Sequence, residues 1–183
     1  MKKSPVVTIV AIGIGAALFF VLGRFVAIPS PVPNTNISTQ YGLLAFMAGL
    51  FGPVAGLLIA LIGHALIDFS YGWGIWWSWV IASGAAGFIM GLAARKLALG
   101  GGEFGGKQIV RFNVYQIVAH LVAWVGIAPV LDILIYQEPS DKVFLQGLMA
   151  GAANIVTTAV IGTLLCLAYS KTRPKSGSLK KED

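Results

Sequence analysis

The stretch VVTIVAIGIGAALFFVLGRFVAI, residues 6–28, decides the fold class of this chain. About 20 apolar residues, each rising ~1.5 Å along a helix, cross the hydrocarbon core of a bilayer. This stretch is long enough to cross it, and Arg24 is its single charged residue. It is too long for the apolar part of a signal peptide and lacks a clear cleavage site, so we interpret it as a retained transmembrane helix. It ends at PSPVPNTN, residues 29–36, because the prolines and the turn-forming Asn and Thr residues do not continue a helix.

The rest of the chain has the same apolar character. Of its 183 residues, 57% are hydrophobic and 11% are charged, whereas an average soluble domain is about a quarter charged. The six predicted transmembrane helices are residues 6–28, 40–51, 54–69, 76–96, 109–131 and 143–169. The second is too short for a full span and the third is marginal. Such helices occur in membranes where their freed backbone groups face protein or a wet cavity, so we expect an enclosed polar site.

Basic residues are concentrated on one predicted side of the membrane. Six passes place both termini and the connector between the fourth and fifth helices together, and this side carries Lys2, Lys3, Arg95, Lys96, Lys107, Arg111 and five basic residues of the tail. The opposite helix ends and loops carry Asp68, Asp132, Glu138 and Asp141 against Lys142. The bias predicts cytoplasmic termini, and it explains the net charge of +6 without a nucleic-acid partner.

The chain is therefore predicted to be an all-α integral protein of the cell membrane with six transmembrane helices and both termini inside. We expect one membrane domain, residues 1–170, and a polar cytoplasmic tail, residues 171–183.

Enzyme chemistry has little support in the sequence. GGEFGGKQ, residues 101–108, matches part of a phosphate-binding loop, but Gln108 replaces the Ser or Thr that holds magnesium and no strand precedes it. No nucleophile with a base and no pair of acids has usable spacing. We expect no catalytic residue, metal or cofactor, and any ATP hydrolysis would come from a partner.

Polar residues within predicted helices are costly in lipid and therefore informative. His64 and Asp68 are four residues apart on the third helix, as are His120 and Trp124 on the fifth, so each pair shares a helix face. A self-orienting His–Asp pair is the simplest interpretation of the first. On the sixth helix, Gln146 lies near the outer end and Asn154 near the midplane, where its amide needs a protein or ligand partner.

Four tryptophans, Trp73, Trp76, Trp77 and Trp79, cluster at the start of the fourth helix. Anchoring at the lipid headgroups explains one or two of them. Trp76 and Trp79 are three residues apart and share a face that suits stacking on a flat ring.

Small residues recur at four-residue spacing on the first helix, as the overlapping pairs Ala11/Gly15 and Gly13/Ala17. Such faces allow close helix approach, either inside the protein or against another subunit, and the spacing does not distinguish the two.

The order of these features resembles one family closely. The matching segments are GIGAAL (13–18), GRF (23–25), PSPVPNTN (29–36), FGP (51–53), GH (63–64) with Asp68, and WWSWVI (76–81). They resemble the substrate-binding S components of energy-coupling factor (ECF) transporters, in the riboflavin-type group. The resemblance covers residues 6–170 and implies an S-component-like bundle.

The resemblance further implies a vitamin-sized ligand held near the outer face. The predicted binding residues are Asn34, Thr35, Asn36, Tyr41, His64, Asp68, Trp76, Trp79, His120, Trp124, Gln146 and Asn154. It also implies docking of the first helix, through Ala11, Gly13, Gly15 and Ala17, on a transmembrane coupling subunit driven by two ATPase subunits. Transport would then involve toppling of the whole S component in the lipid bilayer. Cobalamin is the expected ligand, with riboflavin or the hydroxymethylpyrimidine part of thiamine as alternatives.

Two other function classes stay open. A self-contained channel or secondary transporter needs a continuous polar path to the cytoplasm, whereas the inner halves of the predicted helices are almost purely apolar. A ligand-free structural or assembly subunit leaves Asn154, His64 and the tryptophan cluster without a purpose.

Overall fold

The computed structural model describes residues 4–72, 74–97, 99–102 and 104–173. Lys2, Lys3, Trp73 and most of the predicted tail lie outside the described residues, so the predictions made for them have no structural counterpart. The elements are α1 Pro5–Phe25, β1 Ile28–Pro29, β2 Asn36–Ile37, α2 Gln40–Phe51, α3 Pro53–Tyr71, α4 Trp77–Leu92, the short α5 Ala94–Leu97, α6 Gly106–Tyr136 and α7 Ser140–Lys171.

The break between α2 and α3 is confirmed at Gly52-Pro53. Gly52 has a φ of 91°, which a residue with a Cβ adopts only with strain, and Pro53 begins α3, where its missing N–H is not needed. The proline-rich segment is not wholly irregular, because β1 and β2 pair antiparallel, with Ile28 opposite Ile37. Residues 28–37 therefore form a small hairpin, which the sequence did not predict.

The predicted fourth helix, residues 76–96, is shorter in the structure. α4 ends at Leu92, and the N–H of Ala93 bonds back to the carbonyl of Met90. The chain then turns so that Leu97 and Leu99 are buried, each within reach of a side chain at Gly49 of α2. Burial of these two leucines away from lipid explains why the apolar run does not continue as one straight helix.

The predicted fifth helix and the loop after it need correction. The predicted fifth helix ends at residue 131, just before Asp132, but α6 continues to Tyr136. A π-helical segment, Leu121–Ile127, precedes Pro129 and places it in the first turn of the next α-helical segment. A proline there lacks only an N–H that has no required partner, so the helix continues and Asp132 lies inside it.

Length and composition identify four of the described helices as capable of crossing a membrane, namely α1, α3, α6 and α7. α2 and α4 are shorter apolar helices. Large apolar side chains cover the outer surface of the bundle; Phe69 and Leu134, for example, are both 72% exposed. Lipid is the solvent that such a surface requires, and the chain is an all-α membrane protein.

The backbones of α3 and α4 are in contact at Gly56 and Gly87. A Cβ added to either glycine would lie 2.2 Å from the carbonyl oxygen of the other. Only glycine permits this backbone contact, which brings the tryptophan-bearing start of α4 beside the histidine and aspartate near the end of α3.

Candidate functional site

Two adjoining cavities lie at the end of the bundle that carries the hairpin, which we call the hairpin end. Their volumes are about 330 Å³ and 140 Å³. Four residues line both cavities: Asn34, His64, Asp68 and Trp79. Because these walls are shared, the cavities are neighbouring compartments of one site.

The larger cavity is lined by aromatic and charged side chains. Besides the shared residues, its walls are Trp76, Asp132, Glu138, Lys142 and Gln146. Glu138 and Lys142 form an ion pair of 2.5 Å, and the lysine side chain is 43% exposed. Glu138 lies between α6 and α7, and Lys142 lies in the first turn of α7.

Asp132 is the structural centre of this compartment. Its carboxylate is 2% exposed and accepts a hydrogen bond from the indole Nε1 of Trp76 at 2.6 Å and from that of Trp79 at 2.8 Å. The hydroxyl of Ser78 donates to the same carboxylate. One acid on α6 thus binds three polar groups at or just before the start of α4, on residues 76, 78 and 79, and it orients both indole rings that line the cavity.

Ring stacking holds the two tryptophans from a second direction. Trp76 stacks on Tyr136 with ring centroids 4.4 Å apart, and Trp79 stacks on Trp124 at 5.7 Å. The Tyr136 hydroxyl also accepts a hydrogen bond from the backbone N–H of Trp77. Fixed aromatic rings of this kind offer preorganised surfaces for a flat ligand.

A hydrogen-bonded group on α2, α3 and α4 includes His64 and Asp68, which line both compartments. Ser83 bonds to the hydroxyl of Tyr41 at 2.7 Å and to Nδ1 of His64 at 2.5 Å. Nε2 of His64 lies 3.6 Å from Asp68, whose other oxygen accepts the backbone N–H of Trp76 at 2.9 Å. The predicted His64–Asp68 pair is therefore present, and Ser83 is the partner that determines the orientation of its imidazole.

The smaller cavity contains two buried carboxamides, Gln40 and Asn154. They are 6% and 2% exposed, and their side-chain oxygens accept no hydrogen bond from any described residue. A buried polar atom without a partner costs about 1–3 kcal/mol, so both amides are suited to an additional partner.

The hairpin covers the site and is tied to α7. Nε2 of Gln146 donates to the carbonyl of Pro33 at 2.9 Å, and the hydroxyl of Thr157 donates to the carbonyl of Ser38 at 2.8 Å. Asn34 lies between these ties with a φ of 58°, a left-handed conformation that asparagine tolerates better than most residues. Its position at the hairpin turn brings it into both compartments.

Eleven of the twelve predicted binding residues line one or both compartments, and His120 is the exception. Its side chain is 0% exposed, accepts the indole N–H of Trp124 at 2.9 Å and bonds to Thr158 at 3.0 Å. His120 therefore supports Trp124 from behind and does not face the cavity. The four-residue spacing predicted a shared face correctly, but it does not distinguish the residue at the wall from the one behind it.

Comparison with known proteins identifies the family of this chain. A family model described as "ECF-type riboflavin transporter, S component" matches residues 3–171. The chain belongs to this family. Proteins named "UPF0397 protein" are similar to this chain over nearly their whole length. One from Enterococcus faecalis is 56% identical over 99% of both chains. Two others match over 100% of both chains: one from Clostridium perfringens is 54% identical, and one from Staphylococcus aureus strain Newman is 51% identical.

S components are substrate-binding subunits of membrane transporters. Several residues at the site of this S component were not predicted from the sequence. The predicted fifth helix ends at residue 131, so Asp132 was assigned to the loop after it. Gln40, Ser78 and Ser83 lie in short apolar helices where single polar residues carry no pattern.

Two neighbouring residues, Trp77 and Arg24, lie beside the site and are not among the residues that line the two cavities. Trp77 is 51% exposed and points away from the cavities, as expected for an anchoring tryptophan. Arg24 lies over the ring of Tyr71, with its guanidinium carbon 4.3 Å from the ring centroid. This cation–π contact places Arg24 beside the site without making it part of either cavity wall.

The structure divides the small residues of α1 into two faces. Ala11 and Gly15 are buried, and a Cβ on Gly15 would lie 2.7 Å from the side chain of Ile59. Gly13 and Ala17 are exposed, and no atom lies within 4 Å of a Cβ added to Gly13. Ala11 and Gly15 therefore serve internal packing, and only Gly13 and Ala17 are available to a partner.

Proposed function

We propose that this S component captures a flat heteroaromatic vitamin, with riboflavin as the first candidate, and passes it to an ECF transport complex. The supporting observation is the pair of adjoining cavities, in which oriented tryptophan rings stand next to buried amides. Aromatic surfaces bind the faces of a planar ring, and amides bind its polar edges.

Cavity size favours a compact ligand. Pockets for drug-sized molecules range over about 300–1,000 Å³, and the two compartments measure about 330 Å³ and 140 Å³. Cobalamin, the ligand expected from the sequence, is a macrocycle with an attached nucleotide and needs a larger opening of the hairpin end. Riboflavin and hydroxymethylpyrimidine fit the available space better, and the matching family is described by riboflavin.

The proposed topology has six membrane passes, both termini in the cytoplasm and the hairpin end outside. Lys96, Lys107 and Arg111 support it, since they lie together at the end of the bundle opposite the hairpin, where Arg111 donates to the carbonyl of Lys96. Asp68 and Asp132 are buried in helices and therefore add no charge to the outer loops. The proposed topology does not depend on them, because the distribution of Lys and Arg residues determines the orientation of a protein in the membrane. The same proposal treats residues 1–170 as one membrane domain and residues 171–183 as a cytoplasmic tail.

Coupling to transport is proposed to use the exposed face of α1. Gly13 and Ala17 leave the backbone accessible to a helix of a transmembrane coupling subunit, and two ATPase subunits would supply the energy. The S component itself would carry out no ATP hydrolysis.

Binding to the purified protein tests this function directly. Riboflavin, hydroxymethylpyrimidine and cobalamin are titrated separately by isothermal titration calorimetry, and uptake is measured in cells with and without the coupling and ATPase subunits. Saturable binding of one vitamin and uptake that depends on the partners are expected. Binding of none, together with no uptake, would favour a ligand-free assembly subunit, whereas uptake without partners would favour a self-contained transporter.

A further inference from the structure

Three basic residues lie close together at the end of the bundle opposite the hairpin. Lys107 and Arg111 are four residues apart near the start of α6, so they share a face of that helix. A guanidinium nitrogen of Arg111 donates to the carbonyl of Lys96 at 3.3 Å. The ammonium of Lys96 lies 5.6 Å from the ring centroid of Tyr115, which is one further turn along the same face. We call Lys96, Lys107 and Arg111 the basic cluster.

The positive charge of the basic cluster is not neutralised by the described part of the protein. The two ion pairs formed by described residues both lie at the hairpin end. Lys96 and Lys107 are exposed, and Arg111 is partly exposed. Between residues 69 and 131 the sequence contains a single acid, Glu103, against four basic residues. A local excess of exposed positive charge of this kind attracts an anion.

A row of exposed valines lies beside the basic cluster on α6. Val110 and Val114 follow Lys107 and Arg111 by three residues each, so they are their neighbours on the helix surface, and Val118 continues the row. The row extends about 12 Å at ~1.5 Å per residue. One leaflet of a bilayer is about 15 Å of hydrocarbon deep. The helix therefore presents a cationic end that continues into an apolar strip of nearly the depth of a leaflet.

We propose that the basic cluster binds the headgroup of an anionic phospholipid whose acyl chain lies along the valine row. The guanidinium of Arg111 suits a phosphate because it can donate two parallel hydrogen bonds, and its bond to Lys96 leaves other N–H groups free for this. The two lysines add point charges on either side. Basic surfaces between transmembrane helices at the cytoplasmic side commonly bind anionic headgroups, in agreement with the proposed topology. This lipid site is separate from the vitamin site and does not depend on its ligand.

Two lipids with the same chains test the site. Dioleoylphosphatidylglycerol is anionic and dioleoylphosphatidylcholine has no net charge, and native mass spectrometry of the detergent-purified full chain measures how tightly each binds. The anionic lipid is expected to bind about tenfold or more tightly, since each basic residue near an anionic headgroup contributes about fivefold. Glycerol 3-phosphate is the headgroup without its chains. At millimolar concentration it should leave the thermal midpoint unchanged, whereas the anionic lipid should raise it.

Substitutions locate the binding. Lys107→Gln should weaken binding of the anionic lipid by about fivefold, and the double variant Lys107→Gln with Arg111→Gln by about 25-fold, while binding of phosphatidylcholine stays the same. Lys171→Gln is the matched control. Lys171 ends α7, whose last segment packs against residues 99–101, so this variant removes the same charge from the same end of the bundle but outside the cluster. Its effect should be less than about twofold.

Each outcome decides the inference. A preference for the anionic lipid that the cluster variants remove and Lys171→Gln retains supports the site. Equal binding of the two lipids overturns it, and so does an equal loss in Lys171→Gln, which would indicate diffuse attraction to the whole basic end. A rise in thermal midpoint with glycerol 3-phosphate that matches the rise with lipid would identify a site for soluble anions instead. If the double variant does not fold, Lys107→Gln decides, because its side chain is exposed.

Discussion

Substitution of Asp132 by asparagine tests whether one buried acid orients the tryptophans of the site. Asparagine has nearly the same shape but presents one oxygen and one N–H₂ group. If its oxygen takes the place of Oδ1, the bonds from Trp76 and Ser78 are retained. The N–H₂ group then faces the indole N–H of Trp79, and two donors oppose each other where a 2.8 Å hydrogen bond existed.

The expected magnitude follows from that one lost bond. A hydrogen bond to a charged group contributes about 1.5–3 kcal/mol, and Asp132 is too buried for water to replace it readily. Trp79 borders both compartments and stacks on Trp124, so its displacement changes the wall of each. If the whole cost falls on ligand binding, the dissociation constant rises by about 10- to 150-fold at ~1.4 kcal/mol per tenfold.

The assay is a titration of detergent-purified protein with the vitamin that binds the wild type, followed by tryptophan fluorescence. Asp141→Asn is the control, since Asp141 is an exposed acid in the first turn of α7 and should leave the affinity unchanged. Thermal midpoint and gel-filtration profile report whether Asp132→Asn is folded. A folded Asp132→Asn protein with wild-type affinity and an unchanged fluorescence spectrum would refute the role assigned to this acid.

Two further predictions concern helix packing and coupling. Gly56→Ala should lower the free energy of unfolding by about 1–3 kcal/mol, because its Cβ would lie 2.2 Å from the carbonyl oxygen of Gly87. Thermal unfolding measures this change, with Gly13→Ala as the control because a Cβ there meets no atom within 4 Å. An equal loss of stability in Gly13→Ala would contradict the packing explanation. Ala17→Leu should reduce partner-dependent uptake on the order of tenfold while the vitamin Kd stays unchanged, because a bulky side chain blocks close helix approach. Retained uptake in Ala17→Leu would show that coupling uses another surface.

The binding site was predictable where polar or aromatic residues interrupt a long apolar run. His64, Asp68 and Asn154 stand out because lipid does not tolerate unpaired polar groups, whatever their partners are. Asp132 was missed because the fifth helix was predicted to end at residue 131, whereas the π-helical segment before Pro129 is followed by an α-helical segment that continues to Tyr136. Gln40 was missed because one glutamine at the start of a helix is unremarkable until its burial is known.

The sequence by itself determined that the chain is an all-α membrane protein, where its first helices break and which residues belong near a polar site. These properties are local, since they depend on hydropathy, on proline and glycine, and on spacing along one helix. Only the tertiary structure decided which polar groups satisfy each other. It paired Trp76 and Trp79 with Asp132 across more than fifty residues of sequence, placed His120 behind the wall, and divided α1 between a packed face and a free one. The physical reason is that a helix face acquires its role from the neighbour it packs against, and that neighbour is distant in sequence.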